Sequence, residues 1–146
     1  MRRFLITAAA FLGVMGLVTG TALADSPHFV KNATSVTSVT SNSITVTFRE
    51  SGLDHSLNSV NISLSGTAEC INGGGHHPKA ANKASESASG TFNVSNGTAA
   101  GSLTMVASDI SPNCSPPMVI AWTNLVVTDT TTNDSISIPG TFFPTS

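Results

Sequence analysis

Period-two alternation, an Asn-Gly turn and a pair of cysteines predict an all-β chain: a single-domain β-sandwich, immunoglobulin-like, of about seven strands with one disulfide. No stretch carries a helical stripe. Residues 1–24 read as a signal peptide and 25–146 as the sandwich domain. Arg2 and Arg3 precede an apolar run from Phe4 to Val18, and Ala22-Leu23-Ala24 is an A-x-A cleavage site, so the mature chain is expected to start at Asp25. The apolar run is short for a bilayer span. No later segment is apolar enough to anchor the chain, so the expected product is secreted and extracellular, without membrane insertion after cleavage.

The first mature strand is expected over Phe29 to Val39. Ile44, Val46 and Phe48 then share one face, with Thr45, Thr47 and Arg49 opposite. Val60, Ile62 and Leu64 begin another apolar face, whose phase continues through Gly66 and Ala68 and aims Cys70 at the core. Asn96-Gly97 predicts a two-residue type I′ turn, because both residues tolerate positive φ. A hairpin about that turn pairs Val94 with Ala99, Phe92 with Gly101, Gly90 with Leu103 and Ala88 with Met105, each pair placing a large side chain against a small one. Val119 to Thr128 is apolar on both faces, which predicts a central strand or a bulge. A loop over Thr130 to Asp134 and a return strand over Ser135 to Ile138 complete the series.

The mature part is rich in Ser, Thr, Asn, Gly, Val and Ala. Its basic residues are Lys31, Arg49, Lys79 and Lys83; eight acids oppose these four, a formal charge of −4. Without a basic patch, nucleic acid and anionic membrane surfaces are poor partners. Cys70 and Cys114 are the only cysteines, and an exported chain is expected to oxidise them to a disulfide. Closing a loop of about 45 residues contributes roughly 4 kcal/mol by chain entropy. Cys114 lies in a Pro-rich loop and Trp122 follows it, so the bridge reads as a staple between a strand end and a loop.

The stretch Cys70-Ile71-Asn72-Gly73-Gly74-Gly75-His76-His77-Pro78-Lys79-Ala80-Ala81-Asn82-Lys83 is the most unusual in the chain. It resembles a segment of a family of small secreted actinobacterial all-β proteins. The ending Ser137-Ile138-Pro139-Gly140-Thr141-Phe142 and the start His28-Phe29-Val30-Lys31-Asn32-Ala33-Thr34 are similar to theirs. The resemblance implies export and an all-β fold, and it brings neither an activity nor functional residues.

With Cys70 tethering one end of this glycine-rich loop and Cys114 on the Asp109 to Pro117 loop, the two loops are expected to meet at one end of the sandwich. Loops on a rigid scaffold are where binding concentrates. Asn72, His76, His77, Lys79 and Lys83 are the candidate binding residues, the lysines for carboxylates or phosphates and the histidines for added charge at mildly acid pH. Adjacent histidines point apart in an extended chain, and a metal needs further ligands that the spacing does not supply, so no metal site and no cofactor is expected. Asp129-Thr130-Thr131-Thr132-Asn133-Asp134 supplies oxygens without a recognised calcium-loop pattern. Trp122, Phe142 and Phe143 are candidates for an aromatic platform, although a lone Trp in an apolar strand belongs in the core. The Asn-x-Ser/Thr triplets carry no assigned role.

G-x-S-x-G, H-E-x-x-H and phosphate-loop motifs are absent, and acids are scattered. The expected function is therefore a noncatalytic extracellular binding module for a protein, glycan or envelope component. The alternatives are a metal-dependent or hydrolytic secreted enzyme, a self-associating surface or structural protein, and a hydrolase inhibitor that presents Ser111 to Pro117.

Overall fold

The computed structural model describes residues 26–72, 82–110, 114 and 117–144. The expected signal segment lies outside them. The described residues form eight strands in two antiparallel sheets: β1 (His28–Phe29), β2 (Ser35–Val39), β3 (Ser43–Ser51), β4 (Ser59–Ile71), β5 (Lys83–Asn93), β6 (Thr98–Val106), β7 (Val119–Asp129) and β8 (Ser135–Ile138). In the first sheet β6 lies on one edge of β3, and β1 and β2 share the other. The second sheet runs β5-β4-β7-β8. The pairs β2–β3, β3–β6, β4–β7 and β7–β8 reproduce the immunoglobulin-like pattern of pairing, so the chain is an all-β sandwich with one disulfide.

The core follows from strand parity. Ile44, Val46 and Phe48 point inward from β3, and Val60, Ile62, Leu64, Ala68 and Cys70 from β4. They meet Leu103 and Met105 of β6 and Trp122, Leu125 and Val127 of β7. Each large side chain so buried contributes roughly 1.5–3 kcal/mol. Phe48 lies between Phe29 and Phe92, edge to face with both, at centroid distances of 6.2 and 4.7 Å.

The single strand expected over Phe29 to Val39 is two strands. A 3₁₀ turn at Lys31–Ala33 interrupts it. Both pieces pair with β3, and at the interruption the Arg49 amide donates to the Thr34 hydroxyl (3.4 Å) rather than to backbone.

The hairpin ladder expected about Asn96-Gly97 does not form. The turn itself forms as expected: φ is +51° at Asn96 and +68° at Gly97, and Ser95 and Thr98 exchange both backbone hydrogen bonds. Beyond it the strands separate into different sheets, β5 pairing with β4 and β6 with β3. An in-sheet hairpin and a corner between sheets bury the same alternate residues. Local pattern therefore does not distinguish them, and the better partners, β3 and β4, are remote in sequence.

β7 is both central and bulged. Ser65 faces Val126 and Thr67 faces Thr123, so Gly66 opposes two residues, Asn124 and Leu125. Asn124 takes positive φ (+54°), and the extra residue reverses the inward phase from Ile120 and Trp122 to Leu125 and Val127. A Cβ at Gly66 would stand 2.6 Å from Leu125 Cδ2, so the glycine makes room for the bulge.

Candidate functional site

Cys70 closes the inward face of β4 and is bonded to Cys114, with Cα atoms 5.6 Å apart. Met118 Sδ lies 3.8 Å from Cys70 Sγ and packs against the bridge. The staple between a strand end and a loop is therefore formed, and it roots two loops at one pole. Asn72 stands exposed one residue beyond β4, and Lys83 opens β5 directly opposite Glu69. His76, His77 and Lys79 lie outside the described residues.

Lys83 reaches a groove on the outward face of the second sheet. Its Nζ lies 3.2 Å from Glu69 Oε1, and the Thr123 hydroxyl donates to the same oxygen at 3.1 Å. Glu69 points outward by parity, yet it is only 6% exposed. The groove has a volume of about 680 Å³ and passes Asn124, Leu125 and the turn at Pro139, Gly140 and Thr141. Its origin is a parting of strands. β7 leaves β8 at Leu125–Ile138 and meets the chain again at Trp122–Phe142, so residues 139–141 swing away from Thr123 and Asn124. A lysine ammonium carries three donors and Glu69 takes one, which leaves Lys83 able to meet an anionic or hydroxylated ligand at the groove's rim.

The opposite pole holds a cluster that sequence reasoning missed. Glu50, one residue before the end of β3, and Asp129, the last residue of β7, are both fully buried and face each other across the two sheets. The Thr132 hydroxyl lies 3.3 Å from Glu50 Oε1 and 3.0 Å from Asp129 Oδ2, so its single proton serves one of them. Asp129 Oδ1 accepts the Thr131 amide (2.7 Å), and Asp134 Oδ2 accepts the Phe29 amide (3.0 Å), tying β1 to the 130–134 turn. Glu50 Oε2 is buried with no hydrogen-bond partner. Burial, then the charges of Asp129 and Asp134, push the Glu50 carboxyl up to about 7. The signal was parity: Glu50 continues the phase of Ile44, Val46 and Phe48, and Asp129 that of Leu125 and Val127.

Among the described residues no group of three or more His, Cys, Asp or Glu side chains is placed to hold a metal. The oxygens of Asp129 and Asp134 serve their own turn and β1. Trp122 is fully buried, so no aromatic platform includes it; Phe142 packs on the core and Phe143 is exposed.

Compared with known proteins, the CBX family C-terminal motif matches residues 32–54. That stretch covers most of the 3₁₀ turn, β2, β3 and the residues just after, well under half of the chain, and it does not assign the chain to that family. No curated protein matches the chain.

Proposed function

We propose that the chain is a secreted, noncatalytic binding module whose recognition end is the pole carrying the Cys70–Cys114 bridge. The observation that carries this reading is the bridge itself, which fastens a loop to the end of β4, one residue past the Glu69 that borders the groove with Lys83. Fixing loop roots lowers the ordering cost of binding. The proposed ligand is an extracellular protein, glycan or envelope component that presents carboxylate, phosphate or hydroxyl groups. Lys79 and Lys83 meet it directly, and His76 and His77 add positive charge as the medium turns mildly acid. Asn72, exposed one residue beyond β4, supplies amide hydrogen bonds at the same pole.

The test is retention of secreted proteins, glycans and envelope fractions on the immobilised mature chain. The control is a variant carrying His76→Ala, His77→Ala, Lys79→Ala and Lys83→Ala. The expected result is at least one binder held by the parent and lost by the variant. If nothing retained depends on those positions, the reading is overturned. Stoichiometric metal in tag-free protein, lost on replacing His76 and His77, would instead favour a metal-dependent enzyme. A mass that rises with concentration would favour self-association.

A further inference from the structure

We infer that Glu50 and Asp129 share one proton and form a latch between β3 and β7, which weakens as that proton is lost.

The geometry favours a proton between the two carboxyls. Both groups are fully buried, and they come from opposite sheets. The hydroxyl between them has one proton for two acceptors. The partnerless Glu50 Oε2 completes the case: a carboxylate is acceptor-only, whereas a protonated Glu50 is a donor with an acceptor, Asp129, beside it. Two ionised carboxylates in contact repel without water to screen them.

Among the described residues no counter-charge faces the pair. The charged groups acting on Glu50 are Asp129 from β7 and Asp134 from the turn, both acids. Its strand neighbours are Ala99 on β6 and Phe29 on β1, and Asp129 faces Ile62 on β4. Arg49 is exposed on the other face of β3, and the His28 ring is engaged with the Ser26 carbonyl (2.8 Å).

The working range follows from the raised Glu50 pKa. Such a group gives its full stabilisation below its unfolded value, 4.5, and loses it as pH rises through about 7. Asp129 also accepts from the Thr131 amide and lies within reach of the Thr132 hydroxyl, so ionisation of Glu50 beside it acts on the root of the 130–134 turn.

The experiment follows the mature chain from pH 5 to 8.5, measuring the unfolding equilibrium and the carboxyl carbon shift of Glu50. The expected result is a folded-to-unfolded ratio that falls on the order of a hundredfold across this range. Glu50 titrates near 7 in the parent and at lower pH in Asp129→Asn, and the slope is flattened in Glu50→Gln. Any slope that remains in that variant belongs to other groups. A parent Glu50 titrating near 4.5, or a Glu50→Gln profile as steep as the parent's, overturns the latch. A calcium-dependent rise in stability that vanishes in Glu50→Gln also overturns it, in favour of a bound ion. If Glu50→Gln fails to fold, the carbon titration of the parent alone decides.

Discussion

The Phe92 ring occupies the space that a Cβ at Gly101 would need, and it does so across the gap between the two sheets. Gly101→Ala forces the ring or a strand to move, and overpacking of this kind costs about 1–3 kcal/mol. Gly90 is a graded control, since its nearest neighbours would be Phe92 Cε2 at 3.2 Å and Leu103 Cδ2 at 3.4 Å. Denaturant unfolding is expected to rank Gly101→Ala well below Gly90→Ala, and the reverse order would show that the sheets separate easily here.

Removing the bridge with Cys70→Ala and Cys114→Ala lowers stability by roughly 4 kcal/mol in the chain-entropy view. Cys70 is also a core residue, so its lost packing adds to that figure. Guanidinium unfolding of the double variant checks this. A loss below about 1 kcal/mol would mean that the unfolded chain already keeps the two loops together.

Trp122→Phe is expected to be unusually mild. The indole N–H is buried without a partner, and leaving a donor unmade costs about 1–3 kcal/mol. Deleting it offsets most of the lost apolar area, for a net change within about 1 kcal/mol by thermal unfolding. A loss above about 3 kcal/mol would reveal a buried water on the indole nitrogen.

Lys83→Ala is expected to cost about 1–3 kcal/mol, because it takes the cation from a carboxylate that is only 6% exposed. Glu69 keeps the Thr123 hydroxyl as a partner, which holds the loss below that of a fully buried pair. Guanidinium unfolding checks this, and a loss of ligand retention where both chains are fully folded is a binding effect.

Thr132→Val removes the hydroxyl beside the carboxyl pair and costs about 1–3 kcal/mol near neutral pH. That hydroxyl lowers the Glu50 pKa, so its loss moves the midpoint of the pH-dependent decline upward. An unchanged midpoint would mean that Thr132 bonds only to Asp129.

Much of this molecule is legible in its sequence. Alternation placed Ile44, Val46, Phe48, Val60, Ile62 and Leu64 in the core, because a strand has no other way to present a period-two apolar face. Positive-φ tolerance placed the turn at Asn96-Gly97, and the inward phase of Cys70 aimed it at its bridge. These are properties of neighbours in the chain. Which strands paired was decided only in three dimensions. The matched faces of β5 and β6 meet across the sandwich rather than within one sheet, and the bulge at Asn124 set which residues of β7 turn inward. The partnership of Glu50 with Asp129 belongs to the same class. Each lies on an inward parity visible locally, but their contact is made by residues far apart in sequence, and contact with a second carboxyl in a buried place is what turns an ordinary glutamate into one that holds its proton near neutrality.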